Sequence, residues 1–265
     1  MIILYTALVA VVLAFVLGFL LGFFKKVFYV QEDPLQGKIR AALPGANCGG
    51  CGFPGCDGYA AAVAKGKSSV DGCSAGGKQT AQKLAEIMGV QSSAEEQIAI
   101  LACQGSKEHA VLKGEYIGIS TCAGAKQSIG GTKMCAWGCI GFGDCVEACR
   151  FDAIHIAESG LPEIDKQKCT GCGMCVKTCP QHLLAKIPVE RKGSIALCSN
   201  RSQNKPSIIK QCKSGCIKCG KCERTCKQGA IKLVDGIPIT DYTKCIACGE
   251  CVAGCPTKVL FLLTE

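Results

Sequence analysis

Cysteine decides what this chain can fold into: there are 24 in 265 residues, most of them at fixed short spacings. Cys169, Cys172, Cys175 and Cys179 read C-x2-C-x2-C-x3-C and are followed by Pro180. Cys245, Cys248, Cys251 and Cys255 repeat the run with Pro256; Cys216, Cys219, Cys222 and Cys226 repeat it with Lys227 in place of the proline. One Trp and 6% aromatic residues are too few large side chains for one packed core of this length. Disulfides or metal must therefore hold the structured part together. A random-coil linker, a single globular enzyme core and a coiled coil are excluded.

The N-terminus separates disulfides from metal. From Ile2 to Phe24 there is no charged side chain, and Lys25 and Lys26 follow at once. At ~1.5 Å per residue this stretch crosses a hydrocarbon layer of ~30 Å. No basic residue precedes it and no small-residue cleavage site follows, so residues 1–29 read as a retained single-pass anchor rather than a signal peptide. Lys25, Lys26, Lys38 and Arg40 put the remainder on the cytoplasmic side of the cell (inner) membrane. Thiols stay reduced there, which favours metal.

The three runs have the ligand spacing of bacterial 4Fe–4S ferredoxins, in which the fourth cysteine binds the partner cluster; zinc sites use two separated C-x2-C knuckles instead. A fourth run appears by internal repeat. CIGFGDCVEACRFDAIHI from Cys139 aligns without gaps on CIKCGKCERTCKQGAIKL from Cys216, so that Cys139, Cys145 and Cys149 match ligands and Phe142 stands where Cys219 does. Cys135, four residues before Cys139, is the expected substitute for the missing ligand, with Cys122 as the other candidate. Alternating stretches broken by glycine, AIHIAESGLPEID and AIKLVDGIPITD, predict β-hairpins between paired runs. Two dicluster ferredoxin-like units follow, at 130–188 and 208–265, with a connecting segment over 91–129 and a linker over 189–207. The crossover of fourth ligands predicts the sets Cys135, Cys139, Cys145, Cys179 and Cys149, Cys169, Cys172, Cys175. In the second unit it predicts Cys216, Cys219, Cys222, Cys255 and Cys226, Cys245, Cys248, Cys251.

Upstream, Cys48, Cys51, Cys56 and Cys73 have the spacing C-x2-C-x4-C-x16-C, with Gly and Pro that let the backbone wrap a cluster. They define a helical 4Fe–4S module over residues 30–90, with zinc as the alternative. The fold class is thus a set of small α+β iron–sulfur modules behind a transmembrane helix, with five 4Fe–4S clusters. Cys103, Cys122, Cys198 and Cys212 are left over, as free thiols, disulfide pairs, a substitute ligand or a sixth cluster. The formal charge of +9 hints at nucleic acid, but five cluster dianions of about −2 each would offset it. No aromatic-interleaved basic stretch supports nucleic-acid binding.

Other motifs carry less. Gly50, Gly52 and Gly55 spell G-x-G-x-x-G, but cysteines lie among them and no strand precedes. AAVAKGKS over 61–68 loosely matches a phosphate loop, yet the Ala-rich stretch before it reads as helix. KQTAQKLAEIMG reads as a packing helix or linker. His109, His155 and His182 share no spacing, and no catalytic triad, carboxylate pair or nicotinamide motif is apparent, so no catalytic residue is assigned.

The order of parts (anchor, GANCGGCGFPGCDGYA, CAWGCIGFGDC, then ferredoxin repeats) resembles the B subunits of the Rnf ion-translocating ferredoxin:NAD+ oxidoreductases, in their longer clostridial-type form. The resemblance implies a membrane complex that passes electrons between ferredoxin and NAD+ and couples this to Na+ or H+ movement. It implies that this chain receives the electrons of soluble ferredoxin, while flavin and nicotinamide belong to other subunits. The alternatives are a membrane-tethered polyferredoxin that keeps a redox-sensing regulator or another oxidoreductase reduced, and a zinc-stabilised scaffold.

Overall fold

The computed structural model describes residues 2–28 and 33–263. Helix α1 (Ile2–Val27) has no acidic residue in its first turn and carries Lys25 and Lys26 in its last, which complements the helix dipole. Leu4–Val27 is long and apolar enough to cross a membrane, and its large side chains are exposed rather than packed on the protein. Residues 1 and 29 of the expected 1–29 anchor lie outside the described residues.

A helical module follows. Pro34 opens α2 (Pro34–Ala42), where Asp33 accepts from the Leu35 N–H at 2.9 Å. Helices α3 (Cys56–Ala64) and α4 (Gly77–Met88) pack with it around Ile39, Tyr59, Val63 and Leu84, all nearly inaccessible. Arg40 Nε pairs with Asp57 at 2.7 Å across α2 and α3. The KQTAQKLAEIMG stretch is therefore the packing helix its pattern indicates.

The remainder consists of short elements on a repeated plan. Strand β1 (Gln97–Leu101) and helix α5 (Cys122–Ile129) precede the first unit. That unit holds α6 (Asp144–Glu147), the hairpin β2 (Ile154–Ile156) and β3 (Pro162–Ile164), α7 (Met174–Thr178) and β4 (Leu184–Pro188). Strand β5 (Gly193–Ala196) and α8 (Lys205–Gln211) lead into the second unit. It repeats the order as α9 (Lys221–Thr225), the hairpin β6 (Ile231–Val234) and β7 (Ile237–Thr240), α10 (Glu250–Ala253) and β8 (Leu260–Leu263). The second hairpin turns on Asp235 and Gly236, both with positive φ, as a tight hairpin turn requires. Four glycines, Gly143, Gly173, Gly220 and Gly249, take left-handed conformations and cap the N-termini of α6, α7, α9 and α10. Each sits just before the third ligand position of its run. The plan persists in the first run although Phe142 has replaced a cysteine.

Two pairings lie beyond the expected boundaries. β1, in the segment expected to connect, runs antiparallel to β4 with Gln97 opposite Pro188 and Leu101 opposite Leu184. β5, in the segment expected to link, runs antiparallel to β8 with Gly193 opposite Leu263. Each ferredoxin unit thus carries a second two-stranded sheet whose outer strand comes from upstream. The cores are small: Ala99, Ile154 and Leu184 around Cys145 and Cys175 in the first unit, Ile231, Val259 and Leu260 around Cys216, Cys222 and Cys251 in the second.

Candidate iron–sulfur sites

The cysteines line hollows in groups of four. Cys48, Cys51, Cys56 and Cys73 share one beside Tyr59, at the N-terminus of α3. Tyr59 donates its hydroxyl to Ser69 O at 2.8 Å, and burial pushes its pKa up to about 12. Cys149 joins Cys169, Cys172 and Cys175. Cys255 joins Cys216, Cys219 and Cys222, and Cys226 joins Cys245, Cys248 and Cys251. These sets are the ones the crossover of fourth ligands predicts. At all four crossover cysteines the sulfur accepts the N–H four residues on. The pairs are Ala153 to Cys149 at 3.4 Å, Leu183 to Cys179 at 3.5 Å, Ala230 to Cys226 at 3.3 Å and Val259 to Cys255 at 3.4 Å.

The remaining grouping corrects the sequence reading. Cys135 does not join Cys139, Cys145 and Cys179; it lines a separate hollow with Cys103, Cys198 and Cys212. A turn closed by Gly138 N–H to Cys135 O directs the chain away from it before Cys139 is reached. Asn200 Nδ2 donates to Cys135 Sγ at 3.4 Å. Cys139 lies within electrostatic reach of Cys103 and Cys122, and Cys145 within reach of Cys122 and Cys179. Asp144 fixes Cys122 at the start of α5 by accepting the N–H groups of Cys122 at 2.6 Å and Ala123 at 3.0 Å. Phe142 leaves the ligand position and packs on Tyr116, ring centroids 5.5 Å apart, in a small cluster with Cys122, Ala125 and Ile140. Five hollows are thus lined by four cysteines each, and Cys122, Cys139, Cys145 and Cys179 are the four of the 24 that remain.

A signal for this grouping was present in the sequence. Cys212 lies four residues before Cys216, as Cys135 lies four before Cys139, and Cys212 is surplus to a complete run. The repeat thus makes Cys135 surplus too. Cys103 and Cys198, which face each other in an isolated antiparallel bridge, end the two upstream strand segments in equivalent ways.

The donor chemistry fits clusters. Burial pushes the thiols of Cys139 and Cys175 up to about 12 and those of Cys145, Cys212 and Cys222 up to about 11, with neighbouring cysteines adding to the effect. Such thiols hold their protons until a metal displaces them. Among the described residues no three metal-ligating side chains converge closely enough for a single ion, whereas a cube spreads its ligand sulfurs farther apart. The other motifs have structural roles. Gly50, Gly52 and Gly55 lie in the loop of the first quartet, helix α3 occupies the stretch before Lys65, His155 pairs with Glu163 across its hairpin at 3.5 Å, and His109 Nδ1 meets Ser106 Oγ at 2.8 Å.

Fold and sites define an iron–sulfur electron carrier of the dicluster ferredoxin class. A family model described as "Putative Fe-S cluster" matches residues 43–75, and one described as "4Fe-4S dicluster domain" matches 135–183 and 215–259. Over 89% of its length the chain is 45% identical to the B subunit of the Na+-translocating ferredoxin:NAD+ oxidoreductase complex of Acetobacterium woodii, covering 70% of that protein. It is 36% identical to the B subunit of the ion-translocating oxidoreductase complex of Methanosarcina acetivorans, with 89% of each chain covered. The B subunit of the proton-translocating ferredoxin:NAD+ oxidoreductase complex of Clostridium ljungdahlii is also 36% identical, with 84% of it covered. The chain belongs to this family, the B subunits of Rnf ion-translocating oxidoreductase complexes.

Proposed function

We propose that this chain carries electrons in single file through six 4Fe–4S clusters, from soluble ferredoxin toward membrane partners, in the service of NAD+ reduction coupled to Na+ or H+ transport. The observation that carries it is continuity. The first quartet abuts the first ferredoxin unit, where Lys177 Nζ donates to Gly50 O at 3.2 Å and Arg150 to Asn47 O at 3.2 Å. Cys48 lies within electrostatic reach of Cys172, and Cys145 within reach of Cys175. The central group of Cys103, Cys135, Cys198 and Cys212 then touches both units: Cys139 N–H donates to Cys103 Sγ at 3.4 Å and Cys216 N–H to Cys198 Sγ at 3.4 Å. The last quartet holds Cys248, the one exposed cysteine of the 24, beside Ile246, which is 65% exposed.

Ferredoxin docks at this exposed end, and the first quartet, nearest α1 in the chain, delivers electrons to the membrane partners. The helix is a single-pass anchor with the clusters on the cytoplasmic side. Flavin and NAD+ are bound by partner chains. Each bound cluster supplies one-electron redox chemistry; the protein supplies amide donors, burial and spacing. Six dianions give about −12 against the formal +9, so the loaded protein is close to neutral.

Iron and acid-labile sulfide analysis of the anaerobically purified full chain tests the reading. About 24 irons are expected, with about 20 overturning the sixth cluster. Stopped-flow reduction by reduced ferredoxin should slow at least tenfold in an Ile246→Glu variant of unchanged iron content; an unchanged rate would place ferredoxin entry elsewhere.

A further inference from the structure

We propose that Lys133 and Lys218 are fixed countercharges placed at the two junctions of the central cluster, where they raise its reduction potential. The proposal rests on the six-cluster reading. Both lysines are almost wholly buried, 5% and 8% exposed. Among the described residues neither forms an ion pair, and Lys218 Nζ is buried with no hydrogen-bond partner at all. An ammonium is not left in such a place without an anion, and no carboxylate supplies one. Thiolate-bound clusters would.

Each lysine marks one junction. Lys133 lines the central hollow and donates to Gly105 O at 2.6 Å, in the loop that carries Cys103, while its charge also reaches Cys139 of the first unit. Lys218 lines the Cys216 hollow, and its charge reaches both Cys216 and Cys198. Each junction thus has one N–H to Sγ bond and one buried cation.

The internal repeat does not account for Lys218, which aligns with Gly141; Lys133 aligns with Lys210, so a lysine stands at that position in both units. Lys218 also takes a left-handed conformation, φ 54°, at a loop position where two other runs have Gly141 and Gly171. Lysine costs backbone strain there that glycine would not. A Cβ on Gly236, in the β6–β7 turn, would collide with Lys218 Nζ, so the hairpin keeps space for the ammonium. The fourth run has Ala247 at this position with φ 56°, so the left-handed turn belongs to the loop, and among the runs only Lys218 puts a charge there.

A cation beside a cluster favours its reduced, more negative state. The test is a redox titration, followed by electron paramagnetic resonance, of the full chain purified anaerobically. Lys218→Gly relieves strain while deleting charge, and Lys133→Met keeps most of the apolar stem. In each variant, with iron content unchanged, one cluster should become about tenfold harder to reduce, which is about 59 mV downward for one electron. The double variant should move the same cluster further. Potentials unchanged in both single variants at full iron content would overturn the proposal. So would a shift that moves only the clusters at the two ends. If Lys218→Gly loses iron, the Lys133→Met titration decides alone. Failure of the underlying reading has a different signature: about 20 irons in the parent, and none lost in Cys198→Ser.

Discussion

At the residue scale the decisive exchange is Phe142 for a ligand, with Cys122 the thiol we propose in its place. Cys122 comes from a helix outside the run, and its N–H is held by the carboxylate of Asp144, the residue before Cys145. Cys122→Ser should cost about four irons, and Phe142→Cys in that background should restore them, because Gly143 keeps the loop geometry of the complete runs. Cys135→Ser should also remove about four irons, but Phe142→Cys should not restore these. Rescue of Cys135→Ser by Phe142→Cys would return Cys135 to the Cys139 cluster. Four of the quartets were legible in the sequence, the first from its own spacing and three from the crossover of fourth ligands between paired runs. The sequence offered Cys122 only as the second candidate, because no spacing rule links residue 122 to residue 139; the Asp144 carboxylate, which accepts the Cys122 N–H, does.

At the scale of elements, hairpins β2–β3 and β6–β7 were legible because their partners are adjacent and the turn residues are diagnostic. β1 and β5 were not: QIAIL and GSIA pair with strands more than 60 residues away, and nothing local announces a nonlocal ladder. Their effect is specific. Each upstream strand brings a cysteine, Cys103 or Cys198, from the edge of its unit to the central hollow. Gly171 shows how closely β1 is packed: at φ 64°, a Cβ there would collide with Gln97 O. Gly171→Ala should therefore destabilise the first unit by about 1–3 kcal/mol, through backbone strain and displacement of β1. Thermal unfolding monitored by visible absorbance should show a lower midpoint, whereas Gly229→Ala, where a Cβ meets nothing within 4 Å and only the positive φ is unfavourable, should cost less.

At the scale of the molecule, the chain divides at its central hollow rather than at a linker. Residues 1–190 retain β1 with β4 and every cysteine of the first module and first ferredoxin unit, Cys122 included. They lack Cys198 and Cys212, half of the central group. Two independent units joined by a passive linker would lose eight irons on truncation after residue 190. With a shared central cluster the loss should be about twelve, two cubes of the second unit and one between the units, leaving about twelve in place. Truncation after residue 214 instead keeps Cys198, Cys212 and helix α8, and should hold about sixteen irons, with a resonance spectrum that differs from the shorter chain by one cluster. Equal iron in the two truncations would mean that the central cysteines bind no cluster, and the two ferredoxin units would then be joined by protein alone, with a gap in the electron path between the Cys139 and Cys216 groups.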